Sequence, residues 1–188
     1  QALLDTGKPV VVVLMNGRPL TISKLTEQVP AIVEGWFLGT ETGNAIADVL
    51  LGKYNPSGKL TMSFPRNVGQ IPVFYNYRQS GRPGTDKLTK WTNRFIDSPV
   101  SPLYPFGYGL SYTTFSYSAP RVSQKEFSTN EILKVSVDVT NTGQYDGEET
   151  IQLYIRDVIA SVTRPVKELK GFKKIFLRKG ETRTVGFE

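Results

Sequence analysis

The segment YPFGYGLSYTTF, residues 104–115, separates two regions of different hydrophobic periodicity. Five of its twelve residues are aromatic, two are glycine and none is charged. The chain before it alternates between strand and helix patterns, whereas the chain after it follows the two-residue period of strands. We therefore predict that residues 104–115 form the junction between two domains. Gly107 and Gly109 permit the backbone turns there, and the rings pack the joint.

Residues 1–66 predict the C-terminal part of an α/β/α layer sandwich. The uninterrupted apolar run at 10–15 is typical of a parallel strand that is covered on both faces. A short helix lined by Ile22, Leu25 and Val29 follows, and then a strand at 30–36. Residues 39–52 predict a second helix that ends at Gly52. Residues 59–64 predict a third strand with Leu60, Met62 and Phe64 on one side.

Residues 118–188 predict an antiparallel β-sandwich. Alternation is clear at 133–139 and 151–155, a turn is predicted at 141–147, and 169–177 and 182–188 are further strands. With a weak first strand near Val122 this gives five strands, where such sandwiches have about seven. We therefore expect an incomplete sandwich, truncated at its C-terminus, whose open sheet edge favours self-association. Residues 67–117 are predicted to be a long loop and the aromatic interdomain junction.

Composition excludes several kinds of chemistry. The 188 residues contain no cysteine and no histidine, which excludes disulfides, thiolate catalysis, a Ser–His–Asp triad and histidine-ligated zinc in these residues. No apolar run is long enough for a membrane span. The net charge is +6, and residues 164–183 hold eight Lys or Arg against two Glu. These cations interleave with apolar residues, which favours a solvated strand face over nucleic-acid binding. Polyanion binding through 164–183 stays as a weaker hypothesis.

The carboxylates and loops contain no self-contained catalytic motif. GTETG at 39–43 lacks the spacing of phosphate-binding loops, so a tight strand-to-helix turn is expected. Glycoside cleavage needs two carboxyls across one bond, and no such pair can be placed from the sequence. Aromatic and arginine side chains do cluster on or beside loops of the middle segment. They fit either sugar stacking or the packing of a long loop; the set is Trp36, Tyr75, Tyr77, Trp91, Arg78, Arg82 and Arg94.

Long motifs carry a family resemblance across nearly the whole chain. GKPVVVVLMNGRPL, AIVEGWFLGTETGNAIADVLLGKYNPSGKLTMSFPR, QIPVFYNY and PLYPFGYGLSYTTF resemble the C-terminal half of family 3 glycoside hydrolases, the β-glucosidases and β-xylosidases. NTGQYDGEETIQLYIRD, RPVKELKGFKKIFLRKGET and TVGFE resemble the fibronectin type III-like domain that many of these enzymes carry. The motifs occur in the expected order.

The resemblance implies a retaining, exo-acting β-glycosidase of which this chain is a C-terminal fragment. The implied parent acts on β-linked oligosaccharides or glycosides, needs no cofactor, and is periplasmic or secreted. Its nucleophile lies on an N-terminal barrel and its acid/base lies upstream, both absent here, so we carry over no catalytic residue and expect the fragment to be inactive. Trp36, Tyr75, Arg82 and Trp91 are candidates for the rim of the sugar pocket. The alternative is a non-catalytic carbohydrate-binding or structural module.

Overall fold

The N-terminal half contains a parallel strand pair with its helices, as the sequence predicts. The computed structural model describes residues 2–86, 91–128 and 130–188. Strand β1 (Val11–Leu14) pairs in parallel with β2 (Ala31–Glu34), and helix α1 (Ser23–Gln28) makes the crossover. Helix α2 (Thr42–Leu50) follows, and Gly52 beyond it has the left-handed φ of 71° that a helix C-terminus requires. Short 3₁₀ turns occupy Leu4–Thr6 and Val68–Gln70.

The predicted third strand at 59–64 is wrong as an independent strand. Its backbone pairs locally with the aromatic junction: the Leu60 N–H donates to the Tyr108 carbonyl (2.7 Å) and the Phe64 N–H to the Tyr104 carbonyl (2.8 Å). The junction turns at Gly107, where φ is 81°, so the two segments do not build a continuous ladder. The expected common face is absent too, because Phe64 is buried whereas Met62 is exposed.

The C-terminal half is the predicted antiparallel β-sandwich. One sheet contains β3 (Phe115–Tyr117), β4 (Arg121–Val122), β5 (Val135–Asn141) and β8 (Thr182–Phe187), and the other contains β6 (Gly147–Ile155) and β7 (Glu168–Leu177). Because β8 pairs along most of β5, β3 and β4 must share the opposite edge of β5. The strand β3 lies inside the segment that sequence reasoning assigned to the junction.

The core of the sandwich lies between the two sheets. Side chains from β5, β6, β7 and β8 form one buried cluster: Val139, Ile151, Leu177, Val185 and Phe187. The alternation predicted for β5 and β6 is therefore correct at Val139 and Ile151, whereas Ile155, the last residue of β6, is exposed. The pairing of β6 with β7 shifts register between Leu153 and Tyr154, which leaves Lys170 as an extra residue on β7.

A buried amide joins the junction to the sandwich. Asn141, at the end of β5, accepts a hydrogen bond from the Thr113 hydroxyl (2.7 Å) and another from the Gly143 N–H (3.1 Å). Its Nδ2 donates to the carbonyls of Tyr145 (2.8 Å) and Leu177 (3.1 Å). All the polar capacity of this buried side chain is therefore used, which fixes the predicted turn at 141–147 against β7.

No helix among residues 2–86, 91–128 and 130–188 is long and apolar enough to cross a membrane.

Gly109 tests the close approach between the junction and the preceding segment. A Cβ at this position would collide with the carbonyl oxygen of Gly58, which is backbone and cannot rotate away. We expect Gly109→Ala to lower the free energy of unfolding by about 2 kcal/mol, measured by urea denaturation. The matched control is Gly43→Ala in α2, where a Cβ meets nothing within 4 Å. That change should be neutral or stabilising, and equal effects at both positions would contradict the packing described.

Candidate functional site

Trp36 lies just after β2, at the carboxyl end of the parallel strand pair. Its ring packs at a tilt against Phe64, with 5.9 Å between ring centroids. Its backbone N–H donates to Glu34 Oε1 (3.0 Å), and its backbone φ is 49°. Side chains other than glycine rarely adopt this left-handed region, so Trp36 is held there at a local cost in strain.

Tyr75 lies inside the joint between the two halves. Its ring stacks on Phe106, with centroids 4.2 Å apart and planes 15° from parallel, and it meets Tyr154 edge-on at 6.1 Å. Its hydroxyl accepts a hydrogen bond from the Leu169 N–H at 3.4 Å. Burial raises the pKa of the neighbouring Tyr154 hydroxyl, and Tyr75 adds to the shift. One face of the Tyr75 ring is thus occupied by Phe106.

Arg82 and Trp91 form an exposed pair on the long loop. The guanidinium carbon of Arg82 lies 5.7 Å from the centre of the Trp91 ring, in cation–π geometry. Two hydrogen bonds hold the backbone of Arg82 in place. The Asn93 backbone N–H donates to the Arg82 carbonyl (3.2 Å), and the Arg82 backbone N–H donates to the Ser80 hydroxyl (3.2 Å). Trp91 is nevertheless 73% exposed. Residues 87–90 of the predicted rim loop lie outside the described part of the chain.

Gln70 anchors the two ends of this loop, and sequence reasoning missed it. The side chain is buried, and its Nε2 lies within hydrogen-bond distance of three successive carbonyls, at Pro99 (3.1 Å), Val100 (3.2 Å) and Ser101 (2.9 Å). Its Oε1 accepts from the Arg66 N–H at 2.8 Å. A lone glutamine in a polar stretch gives no sequence signal, because its partners lie about thirty residues away in the chain.

Asp86 links the middle of the same loop to its C-terminal end at Ser101. Its Oδ1 accepts the Ser101 N–H at 3.0 Å. Hydrogen bonds from the Ser101 side chain and backbone hold the pKa of the Asp86 carboxyl below its ordinary value, and the charge of Arg66 contributes. Asp86 is therefore an ionised anchor of the loop rather than a proton donor at neutral pH.

A buried ion pair fixes the orientation of the two halves at the joint. Lys59 Nζ lies 3.0 Å from Glu149 Oε2, and the two side chains are only 14% and 10% exposed. The same ammonium donates to the Gly109 carbonyl (3.0 Å), while Glu149 Oε1 accepts the Tyr117 hydroxyl (2.7 Å). Both ions are therefore paired and hydrogen-bonded, as burial requires.

The preceding residue, Glu148, makes a second and more exposed set of contacts across the joint. Its Oε2 accepts from the Tyr54 hydroxyl (3.0 Å), the Ser57 hydroxyl (3.2 Å) and Lys174 Nζ (3.2 Å). These donors, the Tyr54 hydroxyl first, lower the pKa of the Glu148 carboxyl. Two consecutive glutamates of β6 thus join the sandwich to the segment that precedes the junction.

The acidic residues of the α/β part have separate local partners and are not gathered into one catalytic centre. Glu41 accepts from Asn44 Nδ2 (2.6 Å) at the start of α2, and Asp48 contacts Lys53 at 4.0 Å further along it. Glu34 lies at the end of β2. Within the described ranges, no group of three or more acidic residues could hold a metal ion. The arrangement offers binding surface and domain contacts, and none of these carboxylates is assigned a chemical step.

These features define a C-terminal α/β segment joined to a fibronectin-like sandwich, and the chain belongs to glycosyl hydrolase family 3. The model of the glycosyl hydrolase family 3 C-terminal domain matches residues 1–112, and that of the fibronectin type III-like domain matches residues 149–188. The periplasmic beta-glucosidase of Salmonella typhimurium is 57% identical over 187 residues, which cover 99% of this chain and 24% of that protein. A beta-xylosidase of Formosa agariphila is 51% identical over 188 residues, 100% of this chain and 25% of that protein.

Solved structures agree with this assignment. The beta-glucosidase from Listeria innocua in complex with isofagomine superposes with a TM-score of 0.91 at 48% identity. The match covers 98% of this chain and 26% of that one. The chain therefore spans about a quarter of the length of its relatives, and the sequence-based predictions of family and fold class are confirmed.

Lys59 tests the buried ion pair. Lys59→Met leaves the buried Glu149 carboxylate without its cation, so we expect the free energy of unfolding to fall by about 3 kcal/mol, measured by urea denaturation. Lys174→Met, which removes the exposed partner of Glu148, is the control and should cost less than about 1 kcal/mol. If the two variants lose equal stability, the buried pair does not have the role described.

Tyr117 tests the electrostatics of the same cluster. Burial first, and then the hydrogen bond to Glu149 and its charge, raise the pKa of the Tyr117 hydroxyl far above its ordinary value. A raised pKa contributes stability that is fully present below the unfolded value of about 10 and is lost as pH rises through the folded value. We expect Tyr117→Phe to remove a late-titrating component from the phenolate absorbance at 295 nm. The stability difference between wild type and variant should shrink above about pH 10. If the variant instead lost a component of the absorbance that titrates near pH 10, the raised pKa of Tyr117 would be contradicted.

Proposed function

We propose that this chain is the C-terminal part of a retaining, exo-acting β-glycosidase and that its long loop borders the sugar pocket. The observation that carries the second half of the proposal is the exposed pair formed by Trp91 and Arg82. An exposed indole ring offers an apolar face for the C–H groups of a pyranose. The adjacent guanidinium offers donors for sugar hydroxyls.

The four rim candidates contribute unequally in this proposal. Trp91 and Arg82 are the sugar-contacting pair, because the ring is accessible and the cation is already in place over it. Trp36 lies at the carboxyl end of β2, on the edge where open α/β sheets bind ligands. Tyr75 contributes by packing rather than by sugar contact, because its ring stacks on Phe106 and meets Tyr154 edge-on.

The chemical step itself is proposed to lie outside these 188 residues. Retention requires a nucleophile and an acid/base about 5 Å apart, and we assign neither to this chain. A barrel domain and the preceding part of the α/β sandwich supply them, and no cofactor takes part. Large apolar side chains are exposed on the α/β part and the long loop, and they support a covering domain there: Leu3, Met15, Leu51 and Ile96.

The domain organisation that we propose follows the pairing of the strands. The α/β part covers residues 1–66, and the loop and junction follow. Because β3 pairs with β5, we assign Phe115–Tyr117 to the sandwich domain together with the residues 118–188 predicted from the sequence. Expressed alone, the chain exposes both the apolar surface just described and a free sheet edge, so self-association is the expected state, to be measured by sedimentation velocity.

A periplasmic location is part of the same proposal. It is supported by the 57% identical periplasmic beta-glucosidase. Fractionation of cells that express the natural gene would test it, with activity in the osmotic-shock fraction as the expected result.

Activity assays test the function directly. The protein encoded together with its upstream sequence should hydrolyse aryl β-glucosides or β-xylosides, whereas the 188-residue chain alone should show no turnover above a blank. Turnover by the chain alone would overturn the assignment of catalysis to other domains. Binding of oligosaccharides by the chain alone with a Kd of about 1 μM or tighter, measured by isothermal titration, would favour the alternative, a non-catalytic carbohydrate-binding module. Weak binding of a single sugar, with a Kd of about 1 mM, fits a pocket rim.

Trp91→Ala tests the rim. Losing about 55 Å² of apolar contact with a sugar ring weakens binding by about 1.4 kcal/mol, or about tenfold. We therefore expect KM for cellobiose to rise about tenfold in the longer protein. Tyr145→Ala, which removes another exposed ring in the turn between β5 and β6, is the control and should leave KM unchanged. An unaltered KM in the Trp91 variant would refute the rim assignment.

A further inference from the structure

The carboxyl ends of β1 and β2 carry three local irregularities within a few residues of one another. Asn16 lies just beyond β1, Glu34 ends β2, and Trp36 follows two residues later. The loops touch at two further places: the Gly35 N–H donates to the Leu14 carbonyl (2.8 Å), and the Phe37 ring rests against Gly17. These residues therefore form one compact edge rather than two separate loops.

The first irregularity is a buried acceptor without a donor. Asn16 Nδ2 points toward Glu34 Oε2 at 3.4 Å, as it must, because a carboxylate only accepts hydrogen bonds. This orientation leaves Asn16 Oδ1 buried with no hydrogen-bond partner within the part of the chain that the structure describes. An unsatisfied buried oxygen costs about 1–3 kcal/mol. Because the Asn16 side chain as a whole is only partly buried, a rotation that exposes this oxygen to a donor from outside would relieve that cost.

The second irregularity is the carboxylate itself. Glu34 is partly buried, and in residues 2–86, 91–128 and 130–188 no ion pair involves it. Its oxygens accept from the Trp36 N–H and from Asn16, both neutral donors. Each carboxylate oxygen has a second lone pair. Glu34 and Asn16 together thus have unused acceptor capacity on Asn16 Oδ1 and on the carboxylate oxygens.

The third irregularity is the strained backbone of Trp36. The φ of 49° places an aromatic residue where glycine is normally found. The strained residue carries a half-buried indole two positions after Glu34, and Phe37, 85% exposed, follows it directly. Aromatic surface beside hydrogen-bond acceptors matches the two chemical faces of a pyranose, which has apolar C–H groups and O–H donors.

We propose that Asn16 Oδ1 and Glu34 Oε2 bind adjacent hydroxyl groups of a sugar whose ring lies against Trp36 or Phe37. The inference rests on the proposed function for the choice of ligand, and it assigns a binding role, without a chemical step, to Asn16 and Glu34. A guanidinium group from another protein segment also supplies paired donors, and it is the competing occupant that the experiment distinguishes.

The test is an NMR titration of the 188-residue chain with cellobiose and methyl β-glucoside. We expect saturable shifts of the Asn16 side-chain amide and Trp36 indole signals. Asn16→Ala should weaken binding about fivefold, the effect of one neutral hydrogen bond. Glu34→Gln should weaken it about tenfold, because a charge-assisted bond is lost. Gln retains an acceptor for the Trp36 N–H, so this variant keeps the loop folded.

The control uses a second Asn–Glu pair, on α2. Asn44 donates to Glu41 on the surface of α2 at 2.6 Å, and Asn44→Ala should leave the titration unchanged. The inference is overturned if neither sugar shifts these signals up to its solubility limit. It is also overturned if guanidinium chloride shifts them while the sugars do not, or if Asn16→Ala and Asn44→Ala behave alike. Hydrolysis of aryl β-glucosides by the longer protein would still stand in each of these cases, so failure here is distinguishable from failure of the proposed function.

Discussion

Withdrawing the ammonium of Lys59 and the carboxylate of Glu149 from water costs several kcal/mol for each ion, and only close pairing offsets that cost. The pair can form only when the segment before the junction lies against β6 in one register. Lys59 also bonds the Gly109 carbonyl, and Glu149 also accepts from Tyr117. The same two charges therefore position the N-terminal half, the junction and β3 relative to one another.

Side chains on the outer face of β6 make further hydrogen bonds to the segments that precede the sandwich, and these fix the same register. The side chains of Glu148, Thr150 and Gln152 point to the same side because strand side chains alternate. Glu148 accepts from the Tyr54 and Ser57 hydroxyls. Thr150 donates to the Ser57 carbonyl, and Gln152 donates to the Gly107 carbonyl. A shift of β6 by one residue would break all of these contacts at once. The stacking of Tyr75 on Phe106 follows from this registration, and Tyr75 belongs to the same long loop that carries Trp91.

The sequence was sufficient for the elements with strong periodicity and insufficient for contacts between distant segments. The valine run predicted β1, alternation predicted β5 and β6, and Gly52 marked the end of α2. The prediction of a strand at 59–64 was wrong because three alternating apolar residues resemble a strand in sequence. The segment that actually pairs with these residues is the junction, which turns at Gly107. The surroundings of the rim candidates could not be predicted for a similar reason: rings in neighbouring loops look alike in sequence, yet Tyr75 is stacked in the joint and Trp91 is exposed.

Trp36 shows most clearly what a pattern cannot reveal. A left-handed residue other than glycine costs of order 1–3 kcal/mol, and this loop already uses glycine at Gly35 and at Gly39, whose φ is 74°. Glycine at position 36 would remove the strain, and the ring would be lost with it. The fold retains the ring in a loop where, among the described residues, the Asn16 oxygen has no hydrogen bond and Glu34 has no ion pair. The backbone strain, the oxygen without a hydrogen bond and the carboxylate without an ion pair are three unfavourable features at one edge of the sheet. A ligand that bonds these two acceptors would offset part of their cost.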